Sequence, residues 1–225
     1  MTSPSVSVAS VGQERETVVV IDDFAPDPHS LRQQAAKAAF ARDELHYPGV
    51  KSPAPAHYFE AVQPIIASVM RELFGFRQGA SVLRATYSLV TTPPDLLSVE
   101  QRLPHVDALE PGRMAILHYL ALDDDDGTSF YRHRSTQFET LTAERSGAYF
   151  DSLNADLAEH GPPPAAYING DSAIFERTAH FEGRFNRALI YRGRLLHSGA
   201  IRADRELFSD PAIGRLTVTS FLSAQ

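Results

Sequence analysis

The sequence contains no cysteine, no apolar run long enough to span a bilayer and no surplus of positive charge. Without cysteine there is no disulfide staple, thiolate metal site or cysteine nucleophile, so His, Asp and Glu must carry any metal or acid–base chemistry. A bilayer-crossing helix needs about 20 apolar residues, and the first residues have neither the basic start nor the apolar run of an export signal. The expectation is a cytoplasmic protein with no membrane partner. The 21 basic and 28 acidic residues leave a formal net charge of −7. The basic residues do not cluster along the chain, which argues against nucleic acid as a partner.

A length of 225 residues with 43% hydrophobic composition suits one well-buried core. Residues 1–16 are small and polar, and read as a flexible N-terminal leader before a single domain over 17–225. The β-branched run TVVVI at 17–21 predicts a buried strand. Asp27-Pro28 then supplies an N-cap and first-turn proline for a helix over 28–41. Proline and glycine make 43–57 a loop, and an apolar stripe predicts a second helix over 58–74.

From residue 81 the texture is short β-prone segments: 81–91, 112–122, 128–133, 172–177, 186–192, 195–201 and 215–222. A third helix, 138–159, stops at Gly161-Pro162-Pro163-Pro164. The strands lie too close together for helical crossovers, so the fold class is mainly β with flanking helices (α+β), an antiparallel sandwich or barrel.

Three features point to chemistry. In His105-Val106-Asp107 an extended backbone turns the imidazole and the carboxylate to one face. A distant third ligand, for which His197 is the candidate, would complete the two-His, one-carboxylate set associated with non-haem Fe(II) oxygenases. Arg215 and Thr217 share one face of a later strand.

In this order the residues resemble the Fe(II)- and 2-oxoglutarate-dependent dioxygenases, in their prolyl-hydroxylase-like branch. The resemblance runs from Ala85-Thr86-Tyr87 through His105-Val106-Asp107, Ile116-Leu117-His118-Tyr119-Leu120 and Gly127-Thr128-Ser129-Phe130. It continues through Leu196-His197-Ser198-Gly199 to Arg215-Leu216-Thr217-Val218-Thr219. It implies a double-stranded β-helix (jelly-roll) core, Fe(II) held by His105, Asp107 and His197, and 2-oxoglutarate and O2 as cosubstrates. Arg215 would pair with the distal carboxylate of 2-oxoglutarate, Thr217 and Tyr119 would add hydroxyl hydrogen bonds, and Tyr87 would line the pocket. Arg202 and Arg205 are rival carboxylate partners, because the stretch from His197 to Arg215 is long.

An insertion at about 132–182 separates the two halves of the core and folds as helix and loops beside the site. The expected activity is hydroxylation of an unactivated C–H of an amino-acid or peptidyl side chain or a specialised metabolite, releasing succinate and CO2. The alternative is a non-catalytic jelly-roll metal or small-molecule binding or sensor protein. The remaining acidic and histidine clusters read as ordinary structure: Asp123 to Asp126 as an exposed turn, His118 as a satisfied core histidine, and His133, His160 and His180 as solvated.

Overall fold

The structure, a computed structural model, describes residues 3–42, 47–122 and 126–225. In chain order its elements are β1 (Ser5–Val11), β2 (Glu16–Asp22), α1 (Pro28–Ala35), β3 (Ala41–Arg42), β4 (Gly49–Pro53), α2 (Tyr58–Glu72) and β5 (Ala80–Val90). They continue as β6 (Arg113–Tyr119), β7 (Gly127–His133), α3 (Ala143–His160), β8 (Phe175–Glu182), β9 (Ala188–Arg192), β10 (His197–Ala200) and β11 (Leu216–Ala224). One sheet runs β1-β2-β9-β6-β11-β5-β4-β3 and a smaller one runs β10-β7-β8. Every pairing among these strands is antiparallel. This is the expected mainly-β class with a jelly-roll core. Among the described residues no helix is long and apolar enough to cross a membrane.

Strand alternation sorts the side chains of the large sheet into two layers. Leu216, Val218 and Leu222 of β11, Met114 and Ile116 of β6, and Val19 and Ile21 of β2 face Leu31 of α1 and Val62, Ile66 and Val69 of α2. The opposite face carries Val18, Val20, Ala115, Leu189 and Tyr191, which meet Phe130 of the small sheet. A third cluster joins Tyr131 and Phe175 of the small sheet to Tyr149 and Leu153 of α3. The site lies between the two sheets, where the apolar filling gives way to polar side chains.

Four expectations of secondary structure are corrected. The leader is ordered through β1, which pairs with β2 from Ser5 opposite Asp22 to Val11 opposite Glu16; a backbone ladder, not apolar composition, holds it there. The 28–41 helix ends at Ala35, because the chain turns back and Ala41–Arg42 joins the sheet edge beside β4. Within the expected 43–57 loop, β4 pairs with β5 from Gly49 to Pro53, while residues 43–46 lie outside the described residues. The last part of the 132–182 insertion is β8, a strand of the small sheet paired with β7.

α3, the rest of that insertion, has its N-terminus capped by the Thr142 hydroxyl accepting from the Arg145 N–H. Its start is tied to the core through Arg132, which reaches Glu139 at 3.3 Å and Glu176 at 2.6 Å. His133, expected to be solvated, is instead buried, with Nε2 2.9 Å from Asp156 Oδ2.

Candidate metal centre

His105 lies on an extended segment that bridges to the start of β10. Its N–H donates to the His197 carbonyl at 2.9 Å, and the His197 N–H donates back to the His105 carbonyl at 2.9 Å. Two residues on, the Asp107 N–H donates to the Gly193 carbonyl at 2.7 Å. These backbone bonds set the register of two distant segments, and alternation turns His105 and Asp107 to one side. One ligand atom from each of His105, Asp107 and His197 lies within 4.8 Å of the others.

The polar bookkeeping at this cluster asks for a cation. Nδ1 of His197 donates to the Leu195 carbonyl at 2.9 Å, which fixes the tautomer and leaves Nε2 as a lone pair. That lone pair faces Asp107 Oδ2 at 3.6 Å, and Asp107 Oδ2 is buried with no hydrogen-bond donor. Burial pushes the Asp107 carboxyl up to about 6 against the pull of His105, Lys51, Arg84 and Arg113, and pushes His197 down to about 4. A buried carboxylate oxygen that has no donor and faces an imidazole lone pair is costly, and a divalent ion between them removes that cost. The donor set of two imidazoles and one carboxylate suits a non-haem Fe(II) site with positions left open.

The cluster opens into a cavity of about 710 Å³. Arg215, immediately before β11, and Thr217 line it, as does Thr128 of β7. Arg215 is buried, donates from Nη2 to the Gly127 carbonyl at 2.9 Å, and holds Nε 3.8 Å from Asp126 Oδ2. Neither rival arginine lines the cavity. Arg202 directs its half-exposed side chain to Asp204 at 3.3 Å, and Arg205 holds its covered side chain with Nε 3.4 Å from Asp126 Oδ2, the same oxygen that Arg215 approaches. Asp126, read as part of an exposed turn, is therefore a buried partner of two arginines, while Asp123 to Asp125 lie outside the described residues.

The two tyrosines are placed differently. Tyr119 faces the inter-sheet side, but its buried hydroxyl is 2.7 Å from Thr128 Oγ1, and it is Thr128 that reaches the cavity wall. Tyr87 is not a pocket residue. It has the parity of Leu89, packs in the helix-covered core and donates its hydroxyl to the Leu31 carbonyl at 2.9 Å. His118 is the satisfied core histidine expected: Nδ1 meets Tyr58 Oη at 3.2 Å and Nε2 meets Asn186 Oδ1 at 3.0 Å.

A model of the family of unknown function DUF6445 matches residues 2–222. The chain belongs to this family. No curated protein matches it. Among solved structures, the non-heme alpha ketoglutarate dependent epimerase SnoN from nogalamycin biosynthesis aligns with a TM-score of 0.51 and 10% identity, over 93% of this chain and 77% of that one. HygX from Streptomyces hygroscopicus, with nickel and 2-oxoglutarate bound, aligns with a TM-score of 0.49 and 15% identity, over 93% and 84% of the two chains. The likeness to SnoN shows a shared fold.

In this DUF6445 member the sequence reading missed part of the cavity wall. Tyr149, Phe150 and Leu153 of α3, Tyr167 beyond it, and Lys51, Arg84 and Arg113 on the large sheet all line the cavity. Arg84 was legible in principle, since it shares the parity of Ser88. Tyr149 and Tyr167 were not, because no local pattern shows where α3 docks.

Proposed function

We propose that the chain is an Fe(II)- and 2-oxoglutarate-dependent oxygenase built as a single domain. We assign it hydroxylation of an unactivated C–H of an amino-acid or peptidyl side chain or a specialised metabolite, with release of succinate and CO2. The observation that carries this reading is the donor-free contact between His197 Nε2 and buried Asp107 Oδ2, with His105 beside them and Arg215 in the same cavity. SnoN, described as alpha ketoglutarate dependent, is support of a weaker kind, since a fold alone does not fix a function.

On this reading His105, Asp107 and His197 hold Fe(II), which supplies the redox chemistry that couples 2-oxoglutarate decarboxylation to oxidation of the substrate by O2. The Leu195 carbonyl keeps the His197 proton on Nδ1, so Nε2 is a permanent donor to the metal. Arg215 binds the distal carboxylate of 2-oxoglutarate; its guanidinium is already oriented by the Gly127 carbonyl and Asp126, so little side-chain freedom is lost on binding. Thr217 and Thr128 offer hydroxyls at the same end, and Tyr119 fixes the Thr128 hydroxyl from behind. Tyr149, Phe150 and Leu153 give the cavity an apolar wall on the α3 side.

The test is anaerobic titration with Fe(II) and then 2-oxoglutarate, followed by visible absorption. The expected result is a charge-transfer band that needs both additions and is lost in His197→Ala, with folding checked by circular dichroism. A wild-type band in His197→Ala overturns the ligand assignment. A band without succinate formation in air, over a broad panel of amino acids and peptides, favours the sensor reading.

A further inference from the structure

We propose that Arg84 and Arg113 form an anion subsite in the cavity, and that the substrate carries a carboxylate or phosphate on an apolar body. The inference rests on reading this cavity as the oxygenase site. Although the chain has a net charge of −7, the charged groups on the cavity wall run the other way: Lys51, Arg84, Arg113 and Arg215 stand against Asp107 and Glu100. A concave wall of one sign with apolar surroundings concentrates ligands of the opposite sign.

Strand register separates these cations into two groups. Lys51 faces Ser88, Ser88 faces Thr217, and Thr217 faces Tyr119, one row across four strands. Arg215 lies at the same end, so this end serves the dicarboxylate cosubstrate. Arg84 stands opposite Phe221, six residues further along the chain than Arg215, or roughly 20 Å at the rise of a strand. A five-carbon diacid is about as long as two extended residues, so it cannot also occupy the Arg84 end.

Arg113 belongs to that far end. It faces Ser223 of β11, and a Cβ built on Gly193 would lie 3.2 Å from Arg113 Cγ and 3.3 Å from Asp107 Cβ. The Arg113 stem and the Asp107 side chain thus flank the same glycine, which puts Arg113 next to Asp107 and, by its pairing with Ser223, toward the end of β11 away from Arg215.

The walls near these arginines are apolar. The Arg84 guanidinium lies 5.5 Å from the Phe221 ring centroid, and Phe150 and Leu153 of α3 face the same cavity. The matching ligand has an anionic head and a hydrophobic or aromatic body.

The experiment titrates protein loaded with Ni(II) and saturating 2-oxoglutarate, which fills the Arg215 end, with four probes by calorimetry: phenylbutyrate, phenylpropyl phosphate, phenylbutanamide and phenylbutylamine. At least one anion should bind about tenfold more tightly than the amide, the order expected of two partly exposed charge pairs, and the amine should bind least. The preferred anion names the head group. The double variant Arg84→Gln, Arg113→Gln should lose that preference while keeping the affinity for the amide, which reports an intact cavity. Arg84→Lys, Arg113→Lys should retain much of the preference.

Equal binding of anions and amide, no anion binding at millimolar concentration, or a preference that survives the glutamine variant overturns the proposal. Repeating the titration on metal-free protein separates the two readings. Failure of Ni(II) and 2-oxoglutarate to bind, with anion selectivity still dependent on Arg84 and Arg113, sinks the oxygenase assignment and leaves the subsite standing.

Discussion

His118 and His197 are both buried and both driven down to about 4, yet their lone pairs meet different neighbours. Nδ1 of His118 accepts from the Tyr58 hydroxyl and Nε2–H donates to Asn186 Oδ1, so every polar atom of the ring has a partner within the core. Nε2 of His197 faces Asp107 Oδ2, a buried acceptor that itself has no donor. The distinction between structural and ligating histidine therefore lies in the second ring nitrogen. It also makes His118 an acid-sensitive point. Its folded-state pKa lies below the ordinary 6.5, so the unfolded chain takes up the proton first as pH falls. The stabilisation is complete above about 6.5 and is lost as pH falls toward about 4, by about 2 kcal/mol between pH 7 and 5. His118→Gln should lower stability at pH 7 and narrow its deficit against wild type by that amount at pH 5, measured by urea unfolding at both values. A deficit independent of pH would show that His118 does not titrate on unfolding.

At the scale of elements, β11 serves both layers at once: Leu216, Val218 and Leu222 bury against the helices while Thr217, Thr219 and Phe221 face the cavity. Arg215 is fixed just ahead of it by Gly127 and Asp126. Removing the guanidinium by Arg215→Ala should raise the 2-oxoglutarate requirement by an amount corresponding to about 2–5 kcal/mol, the cost of a buried anion without its cation, with Fe(II) affinity nearly intact. Arg215→Lys should recover part of it, since lysine keeps the charge but not the planar fork. Equilibrium binding of 2-oxoglutarate to Ni(II)-loaded protein reads both, and loss of binding in Arg205→Ala instead would move the carboxylate partner to that residue.

The opening strand makes a separate test. Deleting residues 2–11 removes β1 and the buried Val11 and exposes the β2 edge, so the unfolding temperature should fall by several degrees; a dispensable leader would leave it unchanged.

What was readable at this scale follows from where the information sits. TVVVI, the apolar stripe of α2 and His-x-Asp carry their signal locally. β1 has only Ser, Ala and Val, and Val6 and Val8 stay exposed, so its pairing is a property of β2. β4 is bounded by Pro48 and Pro53 and is tolerated near the sheet edge. The face of Tyr87 could have been read from its parity with Leu89, whereas the docking of α3 over the cavity depends on contacts distant in sequence.

On the scale of the whole molecule, the metal cluster joins parts of the chain that are far apart. His105 and Asp107 precede β6, His197 begins β10, and the apolar cluster between the two sheets lies next to them, with one further cluster on the outer side of each sheet. A ligand that binds only this assembled arrangement should stabilise the fold as a unit, by about 2.7 kcal/mol at a hundredfold excess over its Kd. For a domain of this length each kcal/mol raises the midpoint by about 2–4 °C, so saturating 2-oxoglutarate on Ni(II)-loaded protein should add roughly 5–11 °C to that of the Ni(II)-loaded protein alone. Chelation with EDTA should return the midpoint to that of the metal-free protein. Asp107→Ala, which removes the one carboxylate of the set, should start from a similar or higher metal-free midpoint, since the buried group lacking a donor is gone. It should then show no response to either addition in scanning fluorimetry. A full response in Asp107→Ala would place the stabilising site elsewhere and leave the donor-free contact between His197 and Asp107 without a function.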